Sequence, residues 1–405
     1  MLTSIEIKNY KSAQDLKLNL GRVNVFIGEN GSGKSNILEA IGLASAASAY
    51  KLDNEFLSSR GIRVTSADLM KSCFEANQSS DPITLTVFFD RLKNDEWTKY
   101  ILTNDLKAYS KWECEIESNT LEIDSDDPIS EFNSYFKELL SFQKKRDTLK
   151  IHGSIDDKGL EKEIKQSRNV MQNYLVKLRK SQEKNNFANN YVIYSPENSA
   201  LRNFYKEGQI EPLGINGEGL LKLLKVLHET DPEVFSIIEE KLKLFGWFES
   251  IKVPTSLSND DDKIEIKDRH INKVFDQRSA NEGFLFVLFY TALFVSTDTP
   301  SIFAIDNIDA SLNPKLCTKI IKDISELAKR FDKQVLLTTH NPAILDGLDL
   351  NDREQKLFVV NRSKVGATRC KEISIENKPK SASDEPLKMS EAFLRGYLGG
   401  LPKSF

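Results

Sequence analysis

The 405-residue chain is 40% hydrophobic, enough to bury a large core, and its length predicts one big domain carrying an insertion, or two domains. Its 56 Lys and Arg against 60 Asp and Glu give a formal net charge of −4, which excludes a global basic field for nucleic acid but leaves room for a local patch. The four cysteines, Cys73, Cys114, Cys317 and Cys370, are far apart and show no C-x-x-C or Cys/His ligand spacing, so they read as reduced thiols in a cytoplasmic protein.

The first residues, MLTSIEIKNYKS, alternate polar and apolar positions and contain no signal-peptide core. Ile5 and Ile7, then Leu16, Leu18 and Leu20, alternate with polar neighbours on either side of a polar break, which predicts strand, turn, strand. A third strand, with Val23, Val25, Phe26 and Ile27, runs into GENGSGKS at Gly28 to Ser35, a fit to G-x-x-x-x-G-K-[ST]. Here Gly28, Glu29, Asn30, Gly31, Ser32 and Gly33 would turn successive amides around a phosphate chain at a helix N-terminus. Lys34 would reach the β- and γ-phosphates of ATP, the Ser35 hydroxyl would ligate Mg²⁺, and Asn36 extends the binding set into the helix, expected from Lys34 to about Tyr50.

Residues 51 to 80 are poorly periodic, and a clean alternation returns at Ile83, Leu85, Val87 and Phe89, with β character continuing to about Ile123. At about Asp124 the pattern changes. Phe132, Phe136, Leu139 and Leu140, then Leu160, Ile164, Met171, Tyr174 and Leu178, have helical spacing, which predicts two charged amphipathic helices inserted as a hairpin. Such an arm either packs on its own domain or contacts a partner or DNA. A short strand at Tyr191 to Tyr194 leads back, followed by a helix near Gly217 bearing Leu220, Leu221, Leu224 and Leu227, a helix from Pro232 to Phe245, and strand pairing at Ile264 and Ile266. Phe284 to Val295 is the longest apolar run, 12 residues, too short for a bilayer and expected to be a buried helix.

SIFAID, Ser301 to Asp306, is an apolar strand ending in an aspartate, the form of a Walker B segment, so Asp306 is the expected Mg²⁺-sphere carboxylate beside Ser35. A loop at Asp309 to Pro314, a helix at Leu316 to Leu327 and a strand at Val335 to Leu337 follow, ending in Thr338, Thr339 and His340. Functional groups at strand C-termini are the layout of a parallel α/β nucleotide site. The domain reading is 1–125 for the first part of an ATPase head, 126–190 for the helical arm, 191–377 for the second part of the head and 378–405 for a C-terminal tail.

In this order, phosphate loop, helical insertion, Walker B, SLNP loop and strand-end histidine, the chain resembles ABC-type ATPases of the RecF/SMC/OLD group, most of all the short AAA-type ATPases of bacterial antiviral systems such as Septu and PARIS. The resemblance implies an α/β fold, an ABC-type P-loop NTPase head with a mixed sheet, a β-rich N-terminal lobe and an inserted helical hairpin. It places the signature motif on Ala280 to Gly283, where Asn281 stands in the serine position and Asn281 and Gly283 meet the γ-phosphate held by a second subunit. It also makes His340 the switch histidine and Ser311 to Asn313 the D-loop. One departure matters. The family has glutamate after the Walker B aspartate, and this chain has Asn307, a neutral amide that orients water but accepts no proton at pH 7. Hydrolysis is therefore expected to be slow, with Asp309 the nearest substitute base. Two roles stay open: a regulatory ATPase of antiviral defence that self-assembles through ATP and controls a separate effector such as a nuclease, or a RecF-like ATPase that clamps DNA. Neither involves a membrane, and in both the chain is not itself the effector.

Overall fold

The computed structural model describes residues 1–74, 81–89, 96–107, 110–119, 187, 190–203, 211–254, 263–379 and 387–401. The predicted arm at 126–190 lies outside them apart from Phe187 and Asn190. All elements below belong to one unit, formed by Met1–Ser118 and Phe187–Phe405.

The chain begins with antiparallel strands β1 (Leu2–Tyr10) and β2 (Ala13–Asn19), whose register sets Ile5 opposite Leu18 and Ile7 opposite Leu16. Those four are buried, as the alternation requires. Next come β3 (Val23–Ile27) and α1 (Lys34–Ser48). The poorly periodic stretch after α1 holds two short helices, α2 (Asn54–Ser59) and α3 (Ala67–Met70), too short to show a period; Asp53 caps α2 through the Phe56 N–H. Strands β4 (Ile83–Phe89), β5 (Glu96–Thr103) and β6 (Glu113–Ser118) then complete an antiparallel sheet in the order β2-β1-β4-β5-β6.

After β7 (Ile193–Tyr194) come α4 (Asn198–Leu201), α5 (Leu220–Thr230) and α6 (Pro232–Leu242). A small sheet, β8 (Phe248–Lys252), β9 (Glu265–Asp268) and β10 (Val274–Asp276), was legible in sequence only at β9, because its flanking strands are short and half exposed. The 12-residue apolar run forms most of α7 (Glu282–Val295), with every residue from Phe284 to Val295 buried. Then follow β11 (Ile302–Ile305), α8 (Pro314–Arg330), β12 (Gln334–Thr339), β13 (Gln355–Arg362), β14 (Thr368–Ile373) and α9 (Met389–Leu394). Among the described residues no helix is long and apolar enough to cross a membrane.

The central sheet has the order β14-β13-β3-β12-β11-β7, parallel throughout except for β13 against β14. This is the mixed sheet that the α/β fold class required. Strands β3, β11, β12 and the middle of β13 are buried residue after residue because both faces are covered, whereas β14, at the sheet edge, alternates. Val25, Ile305, Leu337 and Val359 point into the core built with α5 to α8, whereas Phe26, Ala304, Leu336 and Phe358 point into the core shared with α1 and the antiparallel sheet. Phe26 and Phe358 stack across the neighbouring strands with ring centroids 4.8 Å apart. The C-terminal residues that the sequence set apart as a tail pack into this head: Leu387, Met389, Ala392, Phe393 and Leu398 join the helical core, and Ser390 hydrogen-bonds Asp346 through both its N–H and its hydroxyl.

One buried amide joins the two large sheets. Gln334, on β12, accepts from the Leu2 N–H at 2.9 Å and donates to the carbonyls of Leu2 at 2.7 Å and Gly21 at 2.6 Å. Truncating it strands the Leu2 backbone groups away from water, at a cost of about 1–3 kcal/mol for each unpaired group. Gln334→Ala should therefore lower stability by about 3 kcal/mol; urea unfolding followed by circular dichroism reads the loss, and a wild-type midpoint contradicts it.

Candidate nucleotide-binding site

The loop between β3 and α1 has the backbone that its glycines allow. Gly31 and Gly33 adopt φ of 74° and 104°, in the left-handed region that side chains disfavour. Gly28 has a different constraint, since a Cβ there would lie 2.0 Å from the Val360 carbonyl oxygen on β13. Lys34 opens α1, only 5% exposed, and its ammonium donates to the carbonyls of Gly28 at 2.9 Å and Glu29 at 3.0 Å. Burial pushes its pKa down from 10.5 to about 8, against the opposing pull of Asp306, Asp309 and Glu29.

Parallel register assembles the other side of the site. Ile305 lies opposite Leu337 and Thr339 opposite Ile27, so Asp306, Thr338 and His340 emerge beside the loop at the C-terminal edge of the sheet. The Asp306 carboxylate accepts from the Ser35 hydroxyl at 3.0 Å and from the Thr338 hydroxyl in a short hydrogen bond. A hydroxyl and a carboxylate so placed form a hard oxygen set that fits Mg²⁺. Asn307 takes a left-handed φ of 58°, and its N–H donates to Thr338 Oγ1 at 2.8 Å. Its side chain is exposed. Asp309 accepts from Thr339 Oγ1 at 2.6 Å and from the His340 N–H at 3.3 Å, so it is tied to the strand end that carries the histidine. Desolvation, and next the nearby Lys34 charge, lower the His340 pKa; Asp309, Asp306 and a hydrogen bond to the Gly28 backbone work the other way. The imidazole is thus neutral at pH 7, able to donate from one nitrogen and accept at the other.

The segment Ala280 to Gly283 sits at the start of α7. Asn281 is the N-cap, its side-chain oxygen accepting from the Phe284 N–H at 2.8 Å, which leaves the amide NH₂ to face outward. Glu282 accepts from Asn198 and from Ser311, each at 2.7 Å, and a Cβ on Gly283 would lie 3.3 Å from the Ser311 carbonyl oxygen. The structure therefore gathers Lys34, Ser35, Asp306, Asp309 and His340 around the loop, whereas Asn281 and Gly283 are grouped with Ser311.

Beside the loop opens a cavity of about 410 Å³ lined by Lys11, Ser12, Asn36, Arg63, Lys71 and Arg362 among others. The buried Glu39 carboxylate accepts from Lys11, Arg63 and the Tyr10 hydroxyl, which holds two of these cations in place. Asn36 was expected at the site. Lys11, Ser12, Arg63, Arg362, Thr338 and Thr368 were not, because no local motif marks them. The polar break Lys11–Ser12 was visible only as a turn.

A glycine loop with a buried lysine, facing a Walker B carboxylate across a parallel sheet, defines a P-loop nucleoside triphosphatase. Residues 1–345 match the AAA ATPase domain family, and the chain belongs to it. Among solved structures it is similar to an SMC head bound to the C-winged helix domain of ScpA, with a TM-score of 0.55 and 14% identity, covering 93% of this chain and 98% of that one. That likeness concerns the fold. The DNA replication and repair protein RecF of Bacillus cytotoxicus is 40% identical over 55 residues, 13% of this chain and 15% of RecF, and RecF of Bacillus mycoides matches to the same extent. The chain thus spans 15% of the length of these curated relatives.

The depressed lysine gives the site a pH signature. Phosphates would stabilise charged Lys34, so its pKa rises on binding and nucleotide binding takes up protons. ATP affinity should be highest below about pH 8 and fall as pH rises above it. Calorimetry near pH 8 in buffers of different ionisation enthalpy measures the uptake. Its absence would show that Lys34 does not face the phosphates.

Proposed function

We propose that this AAA ATPase is a slow nucleotide switch: it binds MgATP at Gly28 to Asn36, turns it over sluggishly, and uses the bound triphosphate to join two copies. The observation that carries the reading is Asn307, an exposed amide next to the Asp306–Ser35 pair, where the resemblance puts a glutamate general base. Ser35 and Asp306 would hold Mg²⁺, which neutralises phosphate charge when bound. Lys34 holds the β- and γ-phosphates, and His340 stands at the level of Gly28, beside the place of the γ-phosphate. Asn307 orients a water without accepting its proton. Asp309, engaged with Thr339 and the His340 N–H, positions the histidine and is the nearest carboxylate to serve as base. The outward amide of Asn281 and the exposed start of α7 complete the site of a second copy, where the helix dipole favours an anion. By its resemblance to antiviral ATPases, the assembly holds or releases a separate effector, such as a nuclease. The RecF match over 55 residues favours a second reading, a head that clamps DNA.

Steady-state phosphate release under saturating ATP and Mg²⁺ tests the chemistry. Wild type should turn over well below one per second, and Asn307→Glu should accelerate it by about 10²-fold, the scale of a general base. Turnover of several per second that survives Asp309→Ala overturns this account of Asn307.

Assembly is tested separately by light scattering. ATP should convert monomers to dimers or larger species in wild type and not in Lys34→Ala; a monomer with ATP bound and unhydrolysed contradicts the bridged dimer. DNA binding with a steep salt dependence would favour the clamp, and recovery with a nuclease-type partner the defence reading.

A further inference from the structure

The phosphate loop is not held by its own segment alone. Two side chains of the β13–β14 hairpin, beyond the 1–345 family match, hold consecutive loop carbonyls. Arg362, at the end of β13, donates from Nε to the Gly31 carbonyl at 2.8 Å and from Nη1 to the Gly366 carbonyl at 2.6 Å, so its guanidinium is anchored at both ends. Thr368, first residue of β14 and 3% exposed, donates its hydroxyl to the Ser32 carbonyl at 2.9 Å.

The Thr368 hydroxyl has a single proton, and the Ser32 carbonyl takes it. It therefore accepts from Ser12, 2.7 Å away. Ser12 in turn accepts from the Asn36 amide at 2.7 Å, and Asn36 Oδ1 accepts from Arg63 at 3.2 Å. Every hydroxyl in this chain has a fixed direction, running from the wall of the cavity to the loop carbonyl. Gly33 makes the approach possible, because a Cβ there would lie 2.0 Å from Thr368 Oγ1.

A trans peptide is planar, with its C=O and N–H pointing to opposite sides. Holding the Gly31 and Ser32 carbonyls against the hairpin therefore turns the N–H groups of Ser32 and Gly33 the other way, into the loop. The Ser32 N–H points there, toward the Glu29 carbonyl at 3.3 Å. Amides that converge on one side of a loop form the concavity that binds a phosphate.

We propose that Thr368 and Arg362 are positioning residues that preorganise the phosphate-binding amides of Ser32 and Gly33, so that the C-terminal hairpin sets the phosphate affinity of the loop. The inference rests on the nucleotide-binding reading above. Without the two anchors the peptides are free to rotate, and ordering them falls to the ligand.

The test compares Thr368→Val, Thr368→Ser and Arg362→Gln with wild type in the full chain, measuring ATP and ADP affinity by calorimetry and the melting temperature of the free proteins. Thr368→Val should weaken both nucleotides about tenfold, the scale of one lost hydrogen bond. Thr368→Ser, which keeps the hydroxyl, should restore binding to within about twofold. Arg362→Gln, at an exposed position that tolerates exchange, should also weaken both about tenfold with an unchanged melting temperature. Wild-type affinity in both Thr368→Val and Arg362→Gln overturns the proposal, and so does a loss in Thr368→Val that Thr368→Ser shares while Arg362→Gln binds normally. If wild type itself binds no ATP, the nucleotide reading fails first and this inference falls with it.

Discussion

The Asp306 carboxylate is where the chain's separate stretches meet. It accepts one hydrogen bond from Ser35, at the start of α1, and another from Thr338, at the end of β12, partners 271 and 32 residues away in sequence. Neither contact exists unless β3, β12 and β11 lie side by side in one parallel register, because a slip of one residue would turn Asp306 or Thr338 to the opposite face of the sheet. Register in turn depends on burial on both faces, where Leu336 and Leu337 go to different cores. The apolar layers therefore fix the site's geometry, and the polar groups occupy the sheet edge that those layers leave open.

Keeping cations near that edge has an energetic cost that the fold meets locally. Lys34 is desolvated enough to lower its pKa to about 8, and the Gly28 and Glu29 carbonyls satisfy its protons without supplying a full counter-charge. A lysine held this way keeps its attraction for an added anion. Glu39 does the reverse for the cavity wall: one buried carboxylate fixes Lys11 and Arg63 side by side, two like charges that would otherwise repel. Lys34, Lys11 and Arg63 thus stand fixed around the loop, which suits a polyanionic ligand.

In the role we propose, Asn307 and Asp309 share the work of one acid. With an amide at 307, the acid nearest the site is Asp309, yet Asp309 already accepts from Thr339 and the His340 N–H. Its carboxylate is as much a brace for the strand end as a reagent. Asn281 likewise has a structural duty, since its side-chain oxygen caps α7.

Much of this was legible in the sequence. The alternations of β1, β2 and β4, the unbroken apolar strands β3, β11 and β12, and the buried run of α7 follow from periodicity and burial alone, which are local properties of the chain. Gly28 to Ser35 and Asp306 were legible because their chemistry is written in adjacent residues. Other features depend on residues distant in sequence. Thr368 and Arg362 reach the loop through the β13–β3 pairing, Lys11 and Arg63 converge on Glu39, and α9 packs into the core with Ser390 bonded to Asp346. No period or spacing encodes such contacts, because each side chain's partner is chosen by packing between elements rather than by its neighbours in the chain. The sequence by itself determined the glycine loop, the aspartate that ends β11 and the strands that carry them, because these are local patterns; only the tertiary structure decided which distant side chains hydrogen-bond that loop, because packing between elements brings them there.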